Sequence, residues 1–160
     1  MQPELVQLDI PERCNIIIGQ AHFIKTVDDV FEALAGAAPG IRFGIAFNEA
    51  SQDRLVRHDG NDPALEEAAV RNAMALGAGH ALVIVLKDAY PINVMGALKA
   101  VPELCAVYCA TANPVQVITM RAGEGRAILG VADGSSPLGV EGPKEREARH
   151  RLLKDIGYRP

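Results

Sequence analysis

The chain has 160 residues and a mass of 17.0 kDa, a length typical of one domain. Hydrophobic residues make up 49% of it and charged residues 22%, which supports a packed core and excludes global disorder. The formal net charge is −4 and only 4% of the residues are aromatic, so the composition disfavours a nucleic-acid surface or an anionic-membrane surface and favours small-molecule partners.

The pattern of apolar residues and cysteines indicates a protein of the cytoplasm. No run of about 18 apolar residues predicts a membrane span, and the first residues lack the basic and apolar regions of a secretory signal. Cys14, Cys105 and Cys109 are too few for a disulfide scaffold. We expect buried thiols, with Cys105 and Cys109 on one face of a strand.

The first two thirds of the chain alternate short apolar runs with helical periodicity. Helices are predicted from Thr26, with Asp29 completing a start that resembles a capping box, from Pro63 after Asp62, and over residues 92–100. The runs between them are rich in β-branched or aromatic residues and predict strands. These predicted strands are 5–8, 15–19, 42–47, 54–57 and 81–86. The last is apolar throughout, as in a strand covered on both faces.

The last third predicts strands at 105–110, 115–120 and 127–131, with a hairpin turn at Gly123, and then a charged, solvated helix. Strand–helix–strand alternation earlier in the chain favours βαβ units with right-handed crossovers. The predicted fold is therefore α/β: a single compact domain over residues 1–160, with a mixed β-sheet covered by α-helices.

Tight groups of polar residues follow five of the predicted strands. These groups are Gln20–His22, Asn48–Ser51, Tyr90–Asn93, Thr111–Asn113 and Asp133–Ser136. Ligands of open α/β sheets bind outside the carboxyl ends of the strands, so parallel strands would bring the five groups to one edge. The alternative is ordinary turn chemistry, because Asn, Asp, Ser and Gly are turn residues.

His22 is the sharpest single candidate. It lies between a strand end and the helix that starts at Thr26, where free backbone N–H groups favour an anion, and Lys25 is three residues on. A histidine there could accept a phosphoryl group or act as a general base, or it could be a structural residue bonded to a turn. His80 precedes its strand, so in a parallel sheet it would lie at the opposite edge and serve packing or an oligomer contact.

Standard nucleotide and hydrolase motifs are missing from the chain. It has no G-x-x-x-x-G-K-[ST] loop, no G-x-G-x-x-G and no G-x-S-x-G elbow. No Cys/His spacing fits zinc, and the ligands of any metal stay unknown at this stage.

Seven phrases, in order, resemble the adenosine-specific kinases, a family of small prokaryotic proteins. They are GQAHFIKTVDD (19–29), PGIRFGIAFNEAS (39–51), RLVRHDGND (54–62), GAGH (77–80), YPINV (90–94), CATANPVQV (109–117) and ILGVADGSSPLGVE (128–141). The resemblance implies a compact α/β domain that forms a homo-oligomer, a trimer, with a pocket for adenosine or an adenine nucleotide such as AMP and a histidine that carries a stable phosphoryl group. It leaves open whether His22 or His80 is that histidine, and the strand-end argument favours His22.

The expected activity is phosphoryl transfer from ATP or ADP to adenosine, with Mg²⁺ as the accompanying ion. His22, Lys25 and Glu49 are the expected catalytic residues; Lys25 and the nearby helix N-terminus would hold the phosphate, and Glu49 or Asp133 would orient Mg²⁺ or the acceptor hydroxyl. The expected binding residues are those of the polar groups. They are Gln20, Asn48, Ser51, Tyr90, Asn93, Thr111, Asn113, Asp133 and Ser135.

Two rival interpretations remain. One is an adenine-nucleotide sensor or switch that carries a stable phosphohistidine without turnover. The other is a structural oligomer whose polar groups are only turns.

Overall fold

The structure is a computed structural model that describes residues 2–159. Over these residues the chain forms eight strands and four helices. The strands are β1 (Glu4–Gln7), β2 (Asn15–Ala21), β3 (Arg42–Asn48), β4 (Val56–Gly60), β5 (Ala81–Lys87), β6 (Leu104–Thr111), β7 (Val115–Ala122) and β8 (Gly125–Asp133). The helices are α1 (Thr26–Ala37), α2 (Pro63–Leu76), α3 (Pro91–Lys99) and α4 (Pro143–Asp155).

The central sheet has five strands in the order β4-β3-β5-β2-β6. Within residues 2–159 all its neighbouring strands pair antiparallel. The α/β class, with a sheet covered by helices, is confirmed, but the direction of neighbouring strands differs from the βαβ expectation. The two strands that flank α1, β2 and β3, do run parallel to each other, but β5 lies between them. Each helical crossover in the sheet therefore skips one strand.

The core has two halves, one on each face of the central sheet. Ile17, Phe43 and Ile84 point to the face covered by α1 and α3. Ile16 and Val83 point to the other face, which α2 and a three-stranded sheet of order β1-β7-β8 cover. All six residues from Ala81 to Leu86 are buried, which confirms the prediction that this strand is covered on both faces.

Helix α2 packs unusually close to the sheet. A Cβ added to Gly44 of β3 would lie 2.2 Å from the backbone of Leu65 and Glu66, so only glycine fits at this contact. Asp62 accepts hydrogen bonds from the first free N–H groups of α2, and Pro63 occupies its first position, as predicted.

Helix α1 begins at Thr26 as predicted, but without the expected capping box. The Thr26 hydroxyl donates to the Phe23 carbonyl, and Asp29 pairs with Lys25 instead of returning to the helix start. No side chain caps α1 among the described residues.

The three cysteines are not all buried, although the sequence predicted that they would be. Cys14 is buried, Cys109 is half-buried and Cys105 is exposed. The pairing of β2 with β6 shifts register twice, between Ile18 and Gly19 and again between Gln20 and Ala21. These bulges interrupt the alternation of faces along β6, which is why Cys105 is not buried beside Cys109.

The C-terminal part of the chain packs least. The β7–β8 hairpin turns at Gly123, whose φ of +61° favours glycine, as the sequence predicted. In α4, none of the residues Pro143–Asp155 is buried, which agrees with a solvated helix. Across residues 2–159, none of the helices combines the length and apolarity needed to cross a membrane.

Candidate functional site

The antiparallel sheet separates the predicted site residues into two sets. We call the end where β2 and β3 finish and β5 and β6 begin the histidine edge, and the other end the opposite edge. Five residues of β2 separate the pairs Ala21–Leu104 and Ile16–Thr111, so the edges are about 17 Å apart.

Six of the twelve predicted site residues lie at each edge. The histidine edge holds Gln20, His22, Lys25, Asn48, Glu49 and Ser51. The opposite edge holds Tyr90, Asn93, Thr111, Asn113, Asp133 and Ser135. The expected convergence of five polar groups is therefore wrong within one chain, because strands β5 and β6 run against β2 and β3.

His80 lies at the histidine edge, not at the opposite edge as a parallel sheet would require. Its N–H donates to the Asn48 carbonyl at 2.7 Å, and its carbonyl accepts from the Ala21 N–H at 3.0 Å. Its φ is +62°, a left-handed conformation that histidine adopts at a cost, and its ring stacks on Phe47 at a centroid distance of 5.7 Å. The residue thus ties the ends of β2 and β3 together.

Asn48 is 93% buried and carries an unpartnered oxygen. Its amide nitrogen donates to the carbonyls of Ala73 and Ala78, both at 2.9 Å, which fixes the side-chain orientation. Its Oδ1 is among the buried polar atoms that have no hydrogen-bond partner in the described part of the chain. A buried acceptor without a donor is costly unless a ligand or water supplies one.

Glu49 and Arg57 form an ion pair next to Asn48. Arg57 donates to Glu49 Oε1 at 2.9 Å, and the Leu55 N–H donates to Oε2 at 2.9 Å. The Leu55 hydrogen bond, followed by that of Arg57, lowers the pKa of Glu49, so the carboxylate stays charged. Over residues 2–159, Arg57 Nε is a second buried atom without a partner.

His22 itself has an exposed side chain at the start of the loop to α1. Its backbone N–H donates to the carbonyl of Glu103, a residue that is 95% buried. Glu103 Oε2 is the third buried atom for which the described residues provide no partner. Lys25 Nζ donates to Asp29 Oδ2 at 3.0 Å, which raises the pKa of Lys25 and, with a smaller contribution from Glu103, lowers the pKa of Asp29.

A surface cleft of about 730 Å³ opens at the histidine edge. Asn48 and Glu49 line one wall, and the Gly77–Gly79 turn lines another. A Cβ on Gly79 would lie 2.9 Å from the Cβ of Ala50, so glycine keeps the two walls in contact. The cleft is large enough for a nucleoside.

Several polar residues of the opposite edge bond to one another or to the backbone. Asn113 donates through its side chain to Asp133 at 3.1 Å and through its N–H to the Thr111 hydroxyl at 3.0 Å. Asn93 accepts from the Tyr90 N–H at 2.9 Å and so caps α3. A cleft of about 970 Å³ lies beside Tyr90, but these polar residues behave as turn and cap residues.

Sequence reasoning missed Arg57, Glu103, Asp29 and Phe47 at the histidine edge. Among the described residues, Arg57 Nε and Glu103 Oε2 are buried without a partner only because residues distant in the chain pack around them. No local motif therefore identifies these two residues in the sequence. The structure describes no group of three or more His, Cys, Asp or Glu side chains arranged to hold a metal ion. Glu103 Oε2 nevertheless has no hydrogen-bond partner of its own in the described residues, although the Glu103 carboxyl group lies beside Asp29, and carboxylate oxygen is the ligand type that Mg²⁺ prefers.

Comparisons with known proteins identify a structural relative and a family. A crystal structure of the PH1918 protein from Pyrococcus horikoshii OT3 is 45% identical, with a TM-score of 0.95 over 99% of this chain and 98% of that chain. No curated protein matches the chain. The family model described as adenosine specific kinase matches residues 6–159. The chain therefore belongs to the adenosine-specific kinase family.

Proposed function

We propose that this protein transfers a phosphoryl group from ATP or ADP to adenosine at the histidine edge. One observation carries this placement: among residues 2–159, the buried side-chain nitrogen and oxygen atoms without partners are all at this edge, on Asn48, Arg57 and Glu103. Asn48 lines the cleft of about 730 Å³ at this edge and supplies an acceptor, and Arg57 lines a neighbouring groove and supplies a donor. An adenosine, which has both hydroxyl and amino groups, suits such a mixed set.

His22 is the proposed phosphoryl carrier, and its surroundings support that role. Its side chain is exposed next to Lys25 and the N-terminus of α1, where the helix dipole and free N–H groups attract phosphate. The ring of His80 is instead packed on Phe47. A freely accessible imidazole is better placed to reach a bound nucleotide.

The proposed transfer has two steps. In the first, the imidazole nitrogen of His22 forms a P–N bond as the bond between the terminal phosphorus and the nucleotide oxygen breaks. In the second, an adenosine hydroxyl attacks the phosphorus, the P–N bond breaks, and the hydroxyl proton passes to a carboxylate. Glu49 is proposed as that carboxylate, because hydrogen bonds to Leu55 and Arg57 keep it ionised and oriented.

Mg²⁺, when bound with the nucleotide, would neutralise phosphate charge during transfer. Glu103 would hold this ion through Oε2, which has no hydrogen-bond partner in the described residues. The sequence offered Asp133 as the alternative to Glu49 for orienting Mg²⁺ or the acceptor hydroxyl. Asp133 lies at the opposite edge, where it accepts a hydrogen bond from Asn113, and so it is not part of the histidine edge of its own chain.

The family resemblance also leads us to propose a homo-oligomer, a trimer, acting in the cytoplasm where nucleoside triphosphates are available. The binding roles of Tyr90, Asn93, Thr111, Asn113 and Ser135 stay predictions. Their distance from His22 within one chain means that they could serve the same ligand only across copies.

The test uses ATP labelled at the γ-phosphate, with Mg²⁺, with and without adenosine. Label that accumulates in AMP, many molecules per chain, is the expected result. Label that stops at one acid-labile phosphate per chain, with none in AMP, would contradict a kinase and favour the sensor. Absence of label from both protein and AMP would contradict both.

A further inference from the structure

The Asn48 side chain presents an oxygen in a fixed orientation. Its amide nitrogen donates to the carbonyls of Ala73 and Ala78, both at 2.9 Å. A flipped amide would place Oδ1 against those two carbonyl oxygens, so only one orientation of the amide is possible. Oδ1 therefore faces away from them as a pure acceptor, with no partner in the described part of the chain, in a residue that is 7% exposed.

A second buried asparagine shows how this fold treats a purely structural amide. Asn72 of α2 is 2% exposed. Its Oδ1 accepts from the Asp9 N–H at 2.8 Å, and its nitrogen donates to the carbonyls of Asp9 and Ala68 at 2.8 and 3.0 Å. Both ends of the Asn72 amide are bonded within the chain, whereas at Asn48 only the nitrogen is. The difference indicates that Asn48 Oδ1 serves a donor that the chain itself does not supply.

The cleft of about 730 Å³ beside Asn48 has an apolar inner part and a charged outer part. Asn48, Ala73 and Ala78 are buried lining residues. Arg54 and Glu124 also line the cleft, but their side chains are 60% and 91% exposed. A flat ring system fits the inner part next to Oδ1, and the hydroxyl groups of a sugar fit the outer part.

The cationic side chains that line this cleft already face carboxylates. Arg54 lies 3.3 Å from Glu124. Arg126 donates to Glu4 at 2.8 Å and to two carbonyls at the end of α2. A phosphate in the cleft would have to compete with these carboxylates for the guanidinium groups, so the cleft favours a neutral part of the ligand.

Among the neutral parts of a purine nucleoside, the 6-amino group matches the position of Oδ1. It donates hydrogen bonds and is attached to a flat ring, whereas the oxygen at the same position of a 6-oxopurine accepts. A sugar hydroxyl also donates, but its saturated, polar ring suits the charged outer part of the cleft.

We infer that Asn48 Oδ1 accepts a hydrogen bond from the 6-amino group of the purine, which makes Asn48 a residue that selects 6-aminopurines over 6-oxopurines. The choice of a nucleoside as ligand rests on the proposed function. The direction of the selection rests on the fixed orientation of the Asn48 amide.

The first test compares ligands on the wild-type chain. Titration calorimetry measures the dissociation constants of adenosine, of purine riboside, which lacks the 6-amino group, and of inosine, which carries an oxygen in its place. Purine riboside and inosine should bind about 10-fold or more weakly than adenosine, because both leave Oδ1 without that donor. Equal binding of adenosine and purine riboside, or no binding of any of the three, would overturn the inference.

The second test uses two variants. Asn48→Ser replaces the fixed acceptor with a hydroxyl that can donate or accept, so adenosine and inosine should bind it almost equally. Asn72→Ser, at the other buried asparagine, is the matched control for lost stability and should keep the wild-type ratio of the two dissociation constants. A wild-type ratio in Asn48→Ser, with an unchanged circular dichroism spectrum, would assign the selection to another residue and overturn the inference.

These binding measurements separate the inference from the proposed function. Selective binding of adenosine that Asn48→Ser abolishes, without label in AMP, would contradict the kinase and support the role of Asn48. Label in AMP, with equal binding of adenosine and purine riboside, would support the kinase and overturn the role of Asn48.

Discussion

The two edges of the central sheet contain similar residue types but use them differently. At the opposite edge, Asn113 and Asp133 bond to each other and Asn93 caps a helix. At the histidine edge, Asn48 is 93% buried and its Oδ1 has no partner in the described residues. Polar composition alone thus does not identify a binding site; buried polar atoms that the fold leaves unpaired do so better.

The largest expected effect is on protein phosphorylation. His22→Ala should abolish acid-labile label from γ-labelled ATP, because the variant removes the proposed acceptor nitrogen without disturbing the core. His150→Ala, at an exposed histidine of α4, is the control and should be labelled like the wild type. Normal labelling of His22→Ala, with loss in His80→Ala, would move the phosphoryl group to His80.

Thiol reactivity should also differ strongly along β6, between the histidine edge and the middle of the sheet. Cys105, near the histidine edge, is exposed, whereas burial, with the charge of Asp133, raises the pKa of Cys109 to about 11. At pH 8 that pKa lowers the thiolate fraction about 100-fold relative to an ordinary thiol. A thiol-specific chromophoric reagent should therefore react quickly with Cys105 and slowly with Cys109. Equal rates in the Cys105→Ser and Cys109→Ser variants would contradict this.

Substituting one asparagine at each edge should lower the free energy of unfolding by different amounts. Asn48→Ala removes two buried hydrogen bonds to Ala73 and Ala78 and should destabilise the fold by about 2–3 kcal/mol. Asn113→Ala removes exposed bonds and should cost less than about 1 kcal/mol. Urea unfolding of both variants measures the difference. Equal losses would mean that the Asn48 amide is not held as described.

The smallest expected effect concerns pH. Hydrogen bonds hold the pKa of Glu49 below its ordinary value of 4.5 in the folded state, so the unfolded chain binds more protons as the pH falls. The stability due to Glu49 is complete above pH 4.5 and is lost as the pH falls through the lower, folded-state pKa. Glu49→Gln should therefore flatten the acid limb of the stability curve.

The matched control for Glu49→Gln is Glu147→Gln on α4, which also removes one carboxylate. Urea unfolding between pH 6 and pH 3 compares the two variants. A Glu49→Gln curve as steep as that of the wild type would show that Glu49 does not contribute.

Much of the local structure could be predicted from the sequence. The wholly apolar run from Ala81 to Leu86 predicted a strand covered on both faces, and Asp62 with Pro63 predicted the start of α2. These features depend on residues that are neighbours in the chain. For the same reason, the helix starts are nearly correct.

Strand order could not be predicted, because it depends on pairings between distant residues. Gln20 pairs with Ala81 across sixty positions, and this pairing inserts β5 between β2 and β3. Because β5 and β6 run antiparallel to β2, His80 lies at the histidine edge and Asn113 lies at the other end of the sheet from His22. The Asn48 side chain is oriented by the carbonyls of Ala73 and Ala78 at the end of α2, and this orientation leaves Oδ1 without a partner among the described residues. No local sequence pattern could therefore identify that oxygen.

The most direct test of a ligand site at the histidine edge is amide hydrogen exchange with and without saturating adenosine. Slower exchange in residues 47–57 and 77–82 is the predicted result, because a ligand there would restrain the segments that contain Asn48, Glu49 and His80. Protection confined to residues 88–94 and 111–115 would place the ligand at the opposite edge and contradict the account.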